Sequence, residues 1–170
     1  MHKPLFLAVG LLAASSAFAA GIEVEIELPR IDVSDYRRPY VAAWLERPDN
    51  SVAANLAVWY DVKMRNAEGA KWLKDMRLWW RRTGRDLEQP VDGVTAATRN
   101  PGVHKLSFTE GQVPLGKLAA GEYRLVVEAS REHGGREVVT VPLQWPPASA
   151  TRNEVRGEHE LGTIAVQLKP

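Results

Sequence analysis

Residues 118–128 read Leu-Ala-Ala-Gly-Glu-Tyr-Arg-Leu-Val-Val-Glu, and this stretch is the strongest indication of the fold. Gly121 stands two residues before Tyr123, at the start of a run of β-forming residues. This spacing is typical of a tyrosine corner, in which the phenol oxygen bonds back to the preceding loop of an immunoglobulin-like sandwich. The stretch therefore predicts a β-sandwich in which Tyr123 has a structural role.

The rest of the chain also has the pattern of short strands separated by turns. His133-Gly134-Gly135 predicts a hairpin turn, with glycine supplying positive φ values. A polar linker is expected after Trp145-Pro146-Pro147. Further strands are predicted over residues 22–28, 40–46, 56–63, 103–109, 136–144 and 164–168. Seven or eight strands with regular turns predict an all-β, immunoglobulin-like β-sandwich that forms one domain over residues 21–170.

Residues 22–28 alternate strictly between apolar residues and glutamate. The apolar residues predict a buried face, and Glu23, Glu25 and Glu27 predict a solvated one. Three like charges in a row would suit an edge strand that is protected from pairing with other chains. Binding of a cationic partner or a metal by this row is an alternative interpretation.

Residues 70–82 have a different period, because five large apolar residues fall on one face of a helix. They are Trp72, Leu73, Met76, Trp79 and Trp80. The remaining side of this segment is basic. We therefore expect a short inserted amphipathic helix that closes one end of the core. Two alternative interpretations are that one tryptophan covers a flavin ring and that the segment binds a partner.

Residues 1–20 have the organisation of a cleavable signal peptide, with Lys3, an apolar run over residues 5–14 and a small-x-small site at Ala17-Phe18-Ala19. No later segment has the length and hydrophobicity of a transmembrane helix, so we expect a soluble protein exported to the periplasm. The 22 basic and 21 acidic residues become 21 of each when Lys3 is removed. This neutral balance argues against nucleic-acid binding.

No residue pattern indicates a catalytic or metal centre. The chain has no cysteine, which excludes disulfides, thiolate metal sites and c-type haem attachment. The histidines lack metal-ligand spacing, and there is no nucleophile elbow or glycine-rich phosphate loop. Whether the protein is an enzyme stays open at this point, and any redox role would require an added cofactor.

Residues 92–99 read Asp-Gly-Val-Thr-Ala-Ala-Thr-Arg. This segment resembles the acceptor signature Asp-x-x-(Ser/Thr)-Gly-Ala-(Thr/Ser), on which a periplasmic FAD:protein FMN transferase mounts FMN through a phosphodiester bond. The matching positions are Asp92, Thr95, Ala97 and Thr98, whereas Ala96 replaces the usual Gly. The resemblance implies that Thr98 is the residue that carries FMN.

An acceptor hydroxyl must enter the active site of another enzyme, so its neighbours should be small and loosely held. The two alanines before Thr98 meet this requirement. Asp92 would anchor the segment in the transferase, and Thr95 would shape the turn through hydrogen bonds to the backbone. Arg99 would lie beside the FMN phosphate, because its planar guanidinium can donate two hydrogen bonds to phosphate oxygens. The alternative interpretation of residues 92–99 is an ordinary Asp-Gly loop.

Several stretches together are similar to a family of periplasmic proteins known only as a domain of unknown function. They are residues 38–44, 78–81, 92–99, 121–124 and 131–136. The resemblance implies an immunoglobulin-like domain encoded beside an FMN transferase and a PepSY-type membrane redox protein. It thus implies a periplasmic electron-transfer flavoprotein with covalent FMN, for which these two proteins are the expected partners. The alternative is a cofactor-free binding or assembly module with the same fold.

Overall fold

The computed structural model describes residues 20–170. The predicted signal peptide, apart from Ala20, lies outside the described residues. The strands are β1 Gly21–Leu28, β2 Tyr40–Glu46, β3 Val52–Tyr60, β4 Thr95–Ala97, β5 Gly102–Thr109, β6 Gly121–Ser130, β7 Arg136–Trp145, β8 Thr151–Arg156 and β9 Thr163–Lys169. A 3₁₀ segment (Arg65–Asp75), the helix α1 (Arg77–Arg82) and a 3₁₀ turn (Gly84–Asp86) lie between β3 and β4.

The strands form two sheets. One sheet has the order β4-β3-β2-β6-β7, and the other has the order β5-β1-β9-β8. Neighbouring strands are antiparallel except for β4, which runs parallel to β3. The prediction of an all-β sandwich with a short inserted helix is therefore confirmed. The expected number of seven or eight strands was too low, because it omitted β4 and β8.

The main core lies between the sheets and is built from the alternating residues of both. Along β1, Ile22, Val24 and Ile26 are fully buried and contribute to this core. Trp59 is also part of it, whereas Trp44 is buried on the opposite face of the five-stranded sheet. Both tryptophans are therefore core residues, on opposite faces of the same sheet.

The tyrosine corner is present at the start of β6. Tyr123 is buried, and its hydroxyl donates a hydrogen bond of 2.8 Å to the carbonyl oxygen of Ala119. This bond ties the loop before β6 to the strand, as the spacing of Gly121 and Tyr123 predicts.

A second core lies between the outer face of the five-stranded sheet and the inserted segment. Leu73, Met76 and Trp79 are buried there, whereas Trp72 is 49% exposed. The short inserted helix is α1, but it covers only residues 77–82 of the predicted stretch, because residues 70–75 are 3₁₀. Met76, with a ψ of 75°, separates the 3₁₀ segment from α1, so Trp72 and Trp79 do not lie on one continuous helical face. No helix within residues 20–170 is long and apolar enough to cross a membrane.

The expectation that β1 is an edge strand was also wrong. β1 lies between β5 and β9, and both neighbours bring cations to its glutamate row. Lys105 and Arg152 each donate to the Glu25 carboxylate at 2.8 Å, and Lys169 pairs with Glu23. The three carboxylates can therefore share a central strand, since cross-strand cations offset their mutual repulsion.

The β6–β7 hairpin forms as predicted, but its positive φ value belongs to His133, at 55°. Its two glycines serve a different purpose. A Cβ on Gly134 would lie 2.4 Å from the Arg131 guanidinium, and one on Gly135 would lie 2.9 Å from the Glu160 carboxylate. They leave room for the buried ion pair between Arg131 and Glu160, in which Nε and Oε2 are 2.8 Å apart.

The expected polar linker after Trp145 contains β8. All six residues of this strand are exposed, and it pairs with β9 at the edge of the four-stranded sheet. Because β8 buries neither face, its sequence has no alternating apolar pattern by which a strand is recognised.

Candidate functional site

The segment that resembles the flavin acceptor signature begins with a turn where the chain returns from the insertion to the sheet. The Thr95 amide donates to the carbonyl of Val91 at 2.9 Å and closes this turn. Gly93 has a φ of 72°, which is available to glycine at little cost. Asp92 is exposed on the turn, where a protein that approaches from solvent can contact it.

Thr95 holds the turn together through its side chain. Its hydroxyl accepts a hydrogen bond from the Val91 amide at 2.8 Å and donates one to Gln89 Oε1 at 2.9 Å. The backbone hydrogen bond expected of Thr95 is thus present. This hydroxyl is already engaged inside the turn, unlike an acceptor hydroxyl that must be delivered to another enzyme.

β4 attaches the segment to the edge of the five-stranded sheet. The Val58 amide donates to the carbonyl of Val94 at 2.9 Å, and the Thr98 amide donates to the carbonyl of Tyr60 at 3.2 Å. The expectation that the segment is loosely held was therefore wrong on the side that faces β3. β4 is only three residues long, however, and no strand of the sheet pairs with its other side.

The side chains of β4 and Thr98 differ in exposure. Ala96 packs against the main core, Ala97 is exposed and Thr98 is half-buried. Thr98 lies directly after the strand, at the start of the link Thr98–Pro101 that leads to β5 in the other sheet. The link thus lies on one side of the sandwich, and Thr98 is not part of a central strand.

Arg99 is fixed on an aromatic ring. Its guanidinium carbon lies 4.4 Å from the centroid of the Trp59 ring, in the range of a cation–π contact. Trp59 is 1% exposed and belongs to the main core, so it is a rigid support. A stacked guanidinium keeps its N–H groups, which lie in its plane, available for an anion.

His104 completes this cluster from the other sheet. Its ring meets the Trp59 ring edge-on, with the centroids 5.5 Å apart and an interplanar angle of 78°. His104 Nε2 lies 2.8 Å from the Asn100 carbonyl oxygen. A carbonyl oxygen only accepts hydrogen bonds, so Nε2 carries the hydrogen. This bond ties the link after Thr98 to β5.

The fold thus brings Thr98 and Arg99 together with Trp59 and His104, whereas Asp92 and Thr95 lie at the other end of the short strand. The sequence did not point to Trp59 or His104 as parts of this site. Both contacts depend on the pairing of β3 with β4 and on the packing of the two sheets. Within residues 20–170, no group of three or more His, Cys, Asp or Glu side chains could hold a metal ion.

Comparisons with known proteins place the chain in a family. No curated protein and no solved structure matches it. A family model described as "Predicted periplasmic protein (DUF2271)" matches residues 21–163, which run from the start of β1 to the start of β9. This match confirms the resemblance to a periplasmic family of unknown function. The chain therefore belongs to the DUF2271 family of predicted periplasmic proteins.

Proposed function

We propose that the protein is a periplasmic electron-transfer flavoprotein that carries FMN esterified to Thr98. The observation that carries this proposal is the position of Thr98. It follows a three-residue edge strand, its side chain is half-buried, and the next residue is an arginine stacked on Trp59. Asp92, Thr95 and Ala97 are the proposed recognition positions for the transferase.

The attachment is a transfer of a phosphate ester from FAD. The Thr98 hydroxyl oxygen attacks the phosphorus on the FMN side of the FAD pyrophosphate, and the bond from that phosphorus to the bridging oxygen breaks. AMP leaves with the bridging oxygen, and the hydroxyl proton passes to a base of the transferase. The products are AMP and a threonine phosphodiester, so the step requires no oxidant.

The residues around Thr98 fit such an ester. Its phosphate retains one negative charge, and the guanidinium of Arg99 offers donors in a geometry that suits phosphate oxygens. Trp59 holds Arg99 in place, which reduces the entropy lost when the ion pair forms. Ala97 is exposed and small, so the ribityl chain can leave the surface beside it.

Ala96 differs from the glycine of the acceptor signature, and its conformation is compatible with alanine. It lies in β4, beside Trp59 in the parallel register, and it does not have a positive φ. The folded chain therefore has no need of glycine here. A glycine at this position would instead make the segment more flexible, so that it could separate from β3 and enter the transferase more easily.

The bound FMN would supply one- and two-electron transfer. The chain has no cysteine, so thiol redox chemistry is not an alternative source. The proposed partners are a FAD:protein FMN transferase and a PepSY-type membrane redox protein. In this proposal the protein itself is a carrier and a substrate of the transferase.

The test is co-expression of the protein with a transferase, followed by in-gel flavin fluorescence and intact mass. We expect a fluorescent band and a mass gain of one FMN less one water. Thr98→Ala should lose both signals, whereas Thr98→Ser, which retains a hydroxyl, should keep them. Thr151→Ala, at an exposed position of β8, is the matched control and should be labelled like the parent chain.

An unmodified chain in cells where a known acceptor is labelled would overturn the proposal, as would full labelling of Thr98→Ala. The first result would favour the cofactor-free binding or assembly module. The second would place the flavin on another residue of the same chain.

A further inference from the structure

A basic cleft of about 440 Å³ lies where α1 and the end of the 3₁₀ segment face β7. Its lining residues are Lys74, Arg77, Trp80, Arg81 and Arg136. Four of these five residues are cations, and the fifth is a half-buried tryptophan. The cleft is separate from the Thr98 site, since β7 and β4 are opposite edges of the five-stranded sheet.

Three of the cations have no carboxylate partner among residues 20–170. No carboxylate oxygen lies within 4.0 Å of a charged nitrogen of Lys74, Arg77 or Arg81. Cations elsewhere on the insertion do pair, since Arg82 lies 3.0 Å from Glu46 and Lys71 lies 3.2 Å from Glu68. The cleft thus concentrates positive charge that nearby carboxylates of residues 20–170 do not neutralise.

Arg136, the fourth cation, is held in place by a buried carboxylate. Its Nη1 donates to Glu128 Oε1 at 2.7 Å, and Glu128 is 0% exposed. The same carboxylate accepts hydrogen bonds from the amides of Leu78 and Trp79, at 3.1 and 2.7 Å. Glu128 therefore fixes both the arginine of β7 and the start of α1, which form opposite walls of the cleft.

We propose that this cleft binds a di- or polyphosphate ester. Glu128 offsets one of the four positive charges, so an excess of three remains for a ligand with several negative charges. The guanidinium groups of three arginines can bind the oxygens of adjacent phosphates, whereas a ligand with a single carboxylate would engage only one of them. The cleft volume lies within the range of about 300–1,000 Å³ that is usual for small-ligand sites. The Trp80 ring offers an apolar surface to the organic part of the ester.

The test is isothermal titration of the exported protein with ADP, pyrophosphate and a short oligoglutamate peptide. We expect saturable binding of ADP and pyrophosphate and weaker binding of the peptide. The double variant Arg77→Gln, Arg81→Gln should raise the Kd of both phosphates by about tenfold or more. Both arginines are exposed, so the variant should keep the circular dichroism spectrum of the parent chain.

Two further variants distinguish binding in the cleft from nonspecific attraction of anions to the basic surface. Arg85→Gln removes an exposed arginine just after α1 that does not line the cleft, and it should leave the Kd nearly unchanged. Trp80→Leu should weaken ADP more than pyrophosphate, because only ADP has an organic part. Three results would each overturn the proposal. They are absence of phosphate binding, an equal loss of affinity in the Arg85 variant and the double variant, and tighter binding of the peptide than of the phosphates.

Discussion

Glu128 is the residue that joins the inserted segment to the sheet. Its carboxylate is fully buried and receives three hydrogen bonds, two from the start of α1 and one from Arg136. Burial of a charge is costly unless its lone pairs are satisfied, and here the partners come from two different elements. Removal of this charge should therefore destabilise both α1 and the Arg136 end of β7.

We predict that Glu128→Gln lowers the free energy of unfolding by about 2–3 kcal/mol, because it breaks the ion pair and places an amide donor against the α1 amides. Urea unfolding monitored by circular dichroism measures this change. Glu122→Gln, at an exposed position of the same strand, is the control and should stay within about 0.5 kcal/mol of the parent chain. Equal stability of the two variants would contradict the structural role of Glu128.

Sequence patterns identified single residues well where their role is local. The Tyr123 corner depends on a spacing of a few residues, and it was predicted. The contacts of Arg99 with Trp59 and of Trp59 with His104 were not, because they join strands that are distant in sequence. The same limit applies to Glu128, whose two partners on α1 lie about 50 residues earlier in the chain.

Among the elements, β1 shows how cations from other strands of its sheet make an acidic row stable. Hydrogen bonds from Arg152 and Lys105 lower the pKa of Glu25 from its ordinary value of 4.5 to about 2. A carboxylate whose pKa is lower in the folded state stabilises the fold above its unfolded-state pKa. This contribution is lost as the pH falls from about 4.5 towards 2.

We predict that Glu25→Gln lowers the free energy of unfolding by about 1 kcal/mol at neutral pH, a value reduced for the partial exposure of the pair. The difference from the parent chain should shrink between pH 4.5 and 2, because the parent loses this carboxylate charge over that interval. Unfolding by urea at a series of pH values measures both effects. A difference that persists undiminished at the acid end would show that Glu25 acts through packing rather than charge.

Elements were predictable where burial imposes a period on the sequence. β1 alternates because one face is buried, and β6 and β7 carry turn residues between them. β8 has no buried face, and β4 is too short to show a period, so both were missed. In the inserted segment the sequence predicted the α-helical part but not the 3₁₀ part, since three and 3.6 residues per turn differ little over two turns.

At the scale of the whole molecule, the five-stranded sheet joins the two hydrophobic cores. Its inner face contacts the four-stranded sheet, and its outer face carries the insertion. Neighbouring residues of β2, such as Ala43 and Trp44, point alternately into the two cores. Loss of one core should therefore expose the sheet that supports the other.

We predict that residues 21–170 unfold as one cooperative domain. Urea transitions followed by tryptophan fluorescence and by far-ultraviolet circular dichroism should have the same midpoint, since buried tryptophans report on both cores and the dichroism reports on both sheets. Two separate transitions would show instead that the insertion unfolds independently of the sandwich.

The pairing of β1 with β9 has a consequence for biogenesis. These strands are side by side, with Gly21 opposite Lys169, although they lie at opposite ends of the described chain. During synthesis β1 can pair with β9 only after the intervening chain, which contains β2 to β8, has been made. The four-stranded sheet is therefore completed only once β9 has been synthesised, so the sandwich cannot close early.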